Sequence, residues 1–220
     1  MDRDELAKYI EHTNLKAYAS RMEIKKLCEE AKSYGFYGVC VNPYRVRDAR
    51  EYLRGTDLKV ISVVGFPLGA TFTEVKLQEA IMAINSGADE IDMVMNIGAF
   101  KDGRYEFVEK EIGEIVEIAH PMNVKVKVIL ETCYLSKEEI RKASEIVARA
   151  NGDFVKTSTG FGSGGARVED VRIIREVVED KGIKAAGGIR DWKKAVEMIK
   201  AGANRIGTSH GVEIMESYEE

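Results

Sequence analysis

The chain has 220 residues, 45% apolar and 32% charged, with 33 Lys and Arg against 37 Asp and Glu for a formal net charge of −4. That balance lacks the basic footprint of a nucleic-acid binder, no stretch is apolar for long enough to span a membrane, and Met1-Asp2-Arg3-Asp4-Glu5 is not the opening of a signal peptide. Cys28, Cys40 and Cys133 are odd in number and scattered, as expected of free thiols in a reducing cytoplasm, and His12, His120 and His210 show no metal-ligand spacing, so a metal-dependent mechanism is not expected.

Strand-like and helix-like segments alternate along the whole chain. A leading helix is expected over Asp2–Ile10, then a short first strand, Glu11–Leu15. Ser20 opens the next helix, with Glu23 completing a capping box and Ile24, Leu27, Cys28 and Ala31 at helical spacing. Gly38–Val41 reads as strand two, Arg45–Leu53 as a short helix and Lys59–Val64 as strand three. The helix Thr73–Ser86 carries Leu77, Ala80, Ile81 and Ile84 on its expected inner face. Glu90–Met95 is strand four, Tyr105–Ala119 a long helix and Lys125–Leu130 strand five, after which Ser136 and Glu139 cap another helix. Phe154–Ser158 is strand six, Val168–Lys181 a helix and Ile183–Ala186 strand seven. Asp191–Ala201 is a helix with Ala195, Met198 and Ile199 inward, Arg205–Gly207 is strand eight, and Val212–Ser217 closes the chain. Eight strands with intervening helices imply parallel βαβ units. A single (β/α)8 barrel over residues 1–220, preceded by a short N-terminal helix, accounts for the count and the length. An open doubly wound sheet is the alternative, but no G-x-G-x-x-G follows an early strand.

Such barrels carry their active sites at the C-terminal ends of the strands, so polar residues within strands are the candidates. Asp92 lies among apolar neighbours in strand four with Asn96 on its face, and Lys127 shares a face of strand five with Glu131. Alternation places Phe154, Lys156 and Ser158 on one face of strand six, and Lys184 lies in the adjacent strand seven. A lysine in a strand fit for burial is costly unless paired or neutralised. Burial and cationic neighbours lower a lysine pKa, and the free amine then attacks carbonyl carbon. Lys156 is therefore a candidate Schiff-base nucleophile, with Lys184 as the neighbouring cation and Asp92 as an acid able to take and return protons. The plainer alternative is an edge-strand lysine whose ammonium reaches solvent.

The loops after strands six, seven and eight hold Thr159 and the glycines Gly160–Gly165, then Gly187 and Gly188, then Gly207-Thr208-Ser209. Glycine-rich backbone can approach an anion closely, and barrels often hold phosphate near strands seven and eight. Ordinary turn chemistry would need one glycine per loop, so a phosphorylated substrate is favoured. With a lysine nucleophile this suggests an aldolase. A phosphosugar isomerase without covalent catalysis, or a barrel that only binds a phosphorylated metabolite, remain open on these grounds.

Nearly the whole chain resembles the deoxyribose-phosphate aldolase family. The most specific stretch is Val155-Lys156-Thr157-Ser158-Thr159-Gly160-Phe161, supported by Glu11-His12-Thr13, Cys40-Val41-Asn42-Pro43, Val64–Gly69, Asp89–Val94, Lys184–Arg190 and Arg205–Ser209. The resemblance implies a class I aldolase of deoxyribose phosphate catabolism. It would reversibly cleave 2-deoxy-D-ribose 5-phosphate to D-glyceraldehyde 3-phosphate and acetaldehyde with no metal or organic cofactor, acting on a small phosphorylated sugar as a homodimer or homotetramer. It further implies Lys156 as the Schiff-base lysine, Lys184 as the lysine that depresses its pKa, and Asp92 as a proton relay working with a water. Gly160, Gly187, Gly188, Gly207 and Ser209, with Thr159, would hold the substrate phosphate. Two positions depart from the family pattern: Glu11 stands where many members carry Asp, and Phe161 where some carry Lys, so phosphate would rest more on backbone N–H groups and hydroxyls. Cys40 matches a cysteine linked in some members to aldehyde sensitivity, and it reads equally as a small buried apolar residue.

Overall fold

Eight short buried segments pair side by side in chain order, all parallel, and the last returns to the first to close a barrel. The computed structural model describes residues 1–218. The strands are β1 (Ile10–Asn14), β2 (Gly38–Val41), β3 (Lys59–Val64), β4 (Glu90–Val94), β5 (Lys125–Ile129), β6 (Phe154–Lys156), β7 (Gly182–Ala186) and β8 (Arg205–Thr208). The helices are α1 (Arg3–Ala7), α2 (Arg21–Tyr34), α3 (Val46–Tyr52), α4 (Thr73–Asn85), α5 (Ile97–Lys101), α6 (Tyr105–Ala119), α7 (Lys137–Arg149), α8 (Val168–Val177), α9 (Trp192–Lys200) and α10 (Gly211–Glu216). The expected (β/α)8 barrel with a short leading helix is the architecture found. Among the described residues no helix is long and apolar enough to cross a membrane.

Two environments follow from strand alternation. Outward residues such as Val39, Ile91, Met93, Val128, Val155 and Ile206 join the inward faces of the helices in one large apolar shell. The barrel interior holds a small apolar group, Leu15, Cys40, Ile61 and Val63, and otherwise a set of charged side chains. Helix starts are set as their sequences suggest: Ser20 with Glu23 and Ser136 with Glu139 form reciprocal capping boxes, each cap contributing about 1 kcal/mol.

Several boundaries differ from expectation, each for a physical reason. The leading helix stops at Ala7 because Ile10 is a fully buried strand residue paired with Ile206. Strand six ends at Lys156, where the Thr157 hydroxyl accepts from Ala186 N (3.1 Å) and donates to Ala186 O (3.2 Å). Helix α8 ends at Val177, four residues short of Lys181, because the Arg175 guanidinium gathers the carbonyls of Val178, Glu179 and Lys181 around itself. The short helix α5 was not anticipated; the Asn96 side chain caps it by accepting from Ala99 N at 3.0 Å, which removes Asn96 from the Asp92 cluster. On α4 the buried positions are Lys76, Ala80 and Ala83, whereas Ile81 faces outward. Leu77, Ala80 and Ile84 face the core as their spacing suggests, and the departure is Ile81 together with the buried Lys76, whose ammonium is held by Glu111 at 2.8 Å and by Val94 O at 2.9 Å.

A repeated latch closes the floor of the barrel. The side chains of Asp89, Asp153 and Asn204, each just before an even-numbered strand, accept from the N–H of Val60 (2.7 Å), Val126 (2.8 Å) and Ile183 (2.9 Å). Arg50, His120 and Arg175 hold the three latch residues from the other side.

Candidate active site

Six ionisable side chains meet inside the barrel. Glu11 comes from β1, Glu90 and Asp92 from β4, Lys127 from β5, Lys156 from β6 and Lys184 from β7, and none is more than 3% exposed. Burying any one of these charges alone would be prohibitive, so they are stable only as a paired set. Asp92 is the hub. Its Oδ1 accepts from Lys127 Nζ at 2.9 Å, and its Oδ2 accepts from Lys156 Nζ at 2.8 Å and Lys184 Nζ at 2.6 Å. Glu11 pairs with Lys184 and approaches Lys127 at 3.5 Å, while Glu90 pairs with Lys127 at 2.5 Å.

The electrostatics follow from this packing. Burial opposes the charge on Asp92, but Lys127, Lys156 and Lys184 outweigh it and hold the carboxyl well below its usual range. For Lys127, burial is likewise overcome by Asp92, Glu11 and Glu90, and its pKa stands well above that of an ordinary lysine. Lys184 is raised in the same way, burial being outweighed by Asp92 and Glu11, so it stays an ammonium across the neutral range. Lys156 and Lys184 are register partners on adjacent strands, as alternation suggested. The Asp92 carboxylate sits between them, so their repulsion is met by a counter-charge.

A cavity of about 610 Å³ opens over this cluster at the C-terminal ends of the strands. Of the three central residues, Lys156 lines it, while Asp92 and Lys184 lie beneath, fully buried. Thr159, Gly160, Gly187, Gly188, Gly207 and Ser209 all reach its wall. Gly160, Gly187 and Gly188 have φ of +85°, +88° and +74°, a left-handed conformation that glycine alone adopts without cost. Gly207 serves a second need: a Cβ there would stand 2.8 Å from Lys184 Cε, so its bare backbone makes room for that lysine. Thr159 reaches the cavity, but its N–H and hydroxyl are both taken by Glu131. Phe161 crosses Phe66 edge-on at the mouth, with ring centres 5.2 Å apart.

Some residues of the site escaped the sequence reading. Glu90 stands two positions before Asp92 on the same strand face, a signal that alternation could have supplied. Glu11 entered only through the family motif. Lys16, Lys26 and Arg190 bring positive charge to the cavity wall from loops and a helix, where periodicity carries no warning. Lys127 and Glu131 do not share a destination: β5 ends at Ile129, and the chain turns Glu131 toward Thr159. Cys40 sits wholly buried in the inner apolar group, and burial pushes its thiol pKa up.

The family model described as DeoC/LacD family aldolase matches residues 3–217. The chain is 69% identical over its full length to the deoxyribose-phosphate aldolase of Aciduliprofundum boonei, covering 99% of that protein. It is 62% identical to the deoxyribose-phosphate aldolase of Thermococcus kodakarensis, with 98% of each chain covered. A solved deoxyribose phosphate aldolase from Aeropyrum pernix, described as tetrameric, superposes with a TM-score of 0.93 at 34% identity, covering 98% of this chain and 92% of that one.

Proposed function

The chain belongs to the DeoC/LacD family of aldolases, and from that premise we propose that it is a deoxyribose-phosphate aldolase working through a Schiff base on Lys156. The observation that carries the reading is the placement of Lys156: within a buried cluster of three lysines around Asp92, it is the one whose side chain lines the open cavity. The Lys156 amine adds to the C1 aldehyde of open-chain 2-deoxy-D-ribose 5-phosphate, and loss of water leaves an iminium. The C3 hydroxyl gives up its proton, the C2–C3 bond breaks, and its electron pair moves through C2 to the iminium nitrogen. Glyceraldehyde 3-phosphate departs. The enamine then takes a proton at C2, and water releases acetaldehyde and the free amine. Asp92, 2.8 Å from Lys156 Nζ, is placed to exchange these protons through a water. Lys184, held charged by Asp92 and Glu11, provides a permanent positive charge beside the amine. Gly160, Gly187, Gly188, Gly207 and Ser209 offer backbone and hydroxyl donors to the phosphate, and Lys16, Lys26 and Arg190 complement its charge from the same wall.

Borohydride reduction in the presence of 2-deoxyribose 5-phosphate, followed by peptide mass mapping, should place the adduct on Lys156. An adduct on Lys184 would exchange the roles of the two lysines. A folded protein that yields no adduct would overturn the covalent mechanism and favour isomerase or binding chemistry on the same barrel.

Self-association as a homodimer or homotetramer is the proposed assembly, in a cytoplasmic setting suited to its three free cysteines. Leu68 and Phe72, in the β3–α4 connection, and Val75 and Met82 on α4 are 72%, 77%, 50% and 61% exposed. Large apolar side chains concentrated on one shoulder of a barrel suit a subunit contact. Light scattering after gel filtration should give a multiple of the chain mass, reduced in Phe72→Asp. A monomeric unaltered protein would end the proposal.

A further inference from the structure

We propose that Glu131 is a positioning residue that sets the shape of the Thr159–Gly165 loop over the reactive lysine; this rests on the aldolase reading above. Glu131 is 2% exposed and has φ 57° and ψ 65°, the left-handed region. The other non-glycine residues with positive φ among those described are Asn123 and Asn151, the residue type that tolerates it best. A glutamate held this way indicates a conformation imposed by its surroundings.

Those surroundings belong to the strand that carries Lys156. Leu130 N donates to Lys156 O at 3.0 Å, and Thr132 N donates to Thr157 O at 2.9 Å. The backbone on both sides of Glu131 is therefore tied to β6 and its extension, and the left-handed residue between them turns its side chain to the next loop. There the carboxyl group accepts from Thr159 N at 3.2 and 3.4 Å and from the Thr159 hydroxyl. The same hydroxyl accepts from Phe161 N at 3.0 Å. This chain of bonds runs from Glu131 through Thr159 to Phe161, and among the described residues the hydrogen-bond partner of the Glu131 carboxyl group is Thr159 of the loop.

A buried carboxyl group needs donors, and here the donors are the groups that shape the turn at Gly160. The loop begins three residues after Lys156, and Thr159, Gly160 and Phe161 line the cavity. Its shape fixes where the phosphate end of a ligand rests relative to the amine that attacks the other end. The role of Glu131 is thus to set the distance between the two ends of the site.

Glu131→Ala leaves Thr159 N–H and hydroxyl without their acceptor. For 2-deoxyribose 5-phosphate, kcat/KM should fall by about 10–100-fold, mainly through a higher KM, as expected when a ligand is misplaced by a fraction of an ångström. For 2-deoxyribose, which has no phosphate to place, the fall should be under about threefold. Glu131→Gln keeps an acceptor oxygen and should restore most of the phosphorylated substrate's kcat/KM. Borohydride trapping of acetaldehyde on Lys156 should be equal in all three proteins, and their melting temperatures report whether each is folded. Equal losses on both sugars, or a Gln variant no better than Ala, would overturn the proposal. Failure of acetaldehyde to trap on Lys156 in the unaltered protein would instead remove the aldolase mechanism beneath it.

Discussion

Lys156→Ala is expected to lower cleavage of 2-deoxyribose 5-phosphate by roughly 10⁴–10⁶-fold, the scale of losing a covalent nucleophile, while the barrel stays folded. The other two lysines of the cluster cannot take its place: Lys127 and Lys184 are fully buried and held as ammoniums by Asp92, Glu11 and Glu90. An ammonium has no lone pair for a carbonyl carbon. Stability should change little, because Asp92 keeps two other lysine partners at 2.9 and 2.6 Å. Lys156→Arg keeps a cation at the position but supplies no amine able to form the imine, so it should be as inactive as the alanine variant. Steady-state cleavage assays and thermal melts test both halves. Turnover within tenfold of the unaltered protein would remove Lys156 from the mechanism.

Asp92→Ala is expected to combine a catalytic loss with a large loss of stability. Removing the acid takes away the partner that Lys127, Lys156 and Lys184 share, leaving Glu11 and Glu90 as the acids beside Lys127 and Lys184. Breaking a buried ion pair by deleting one partner costs about 3–5 kcal/mol, which for a chain of this size lowers Tm by roughly 6–20 °C. Loss of a proton-transfer group lowers kcat by about 10²–10⁴-fold. The pH dependence has a definite sign. Asp92 has a depressed pKa in the folded state, so its contribution is complete above the unfolded carboxyl value of about 3.9 and is lost as pH falls through the folded value. Lys127 is raised, so its contribution is complete below about 10.4 and is lost as pH rises through the folded value. The Tm gap between the unaltered protein and Asp92→Asn, a milder change that keeps the shape, should therefore be widest between about pH 5 and pH 9 and shrink on the acid side. A gap that does not vary with pH would show that shape, and not charge, accounts for the role of Asp92.

Much of this architecture could be read in the chain because barrel folding imposes local rules. Each strand is a short run bounded by turn residues, and the capping boxes at Ser20 and Ser136 mark two helix starts to the residue. Polar residues at alternating strand positions led to Asp92, Lys127, Lys156 and Lys184, since an interior lined by charge breaks an otherwise apolar pattern. What was missed depends on contacts distant in sequence. The burial of Lys76 on α4 is set by its meeting with Glu111, 35 residues away, and no local periodicity announces that. The end of α8 is set by a guanidinium reaching back to carbonyls that would otherwise have continued the helix. Glu131 looked like a member of the strand-five face, and the left-handed turn that redirects it leaves no mark in residue type. The phosphate side was legible in outline, because glycine runs are conspicuous, but Thr159 is tied to Glu131 in a way that composition does not reveal.

The floor latches divide the barrel in a way its continuous ladder conceals. Asp89 ties β4 to β3, Asp153 ties β6 to β5, and Asn204 ties β8 to β7. In each case the pinning side chain, Arg50, His120 or Arg175, precedes the odd strand and the latch precedes the even one. The sequences echo this in Gly87-Ala88-Asp89, Asn151-Gly152-Asp153 and Gly202-Ala203-Asn204, whose first residues all have positive φ. Three of the four two-strand staves, β3–β4, β5–β6 and β7–β8, are thus bolted at the floor, while higher up the seams between staves carry side-chain ties such as Thr157 to Ala186 and Lys127 to Asp92. The bolts lie at the end opposite the cavity. Rim loops can therefore change length and chemistry while the same hardware keeps the cylinder closed, and the charged interior inherits its alignment from a floor it never touches.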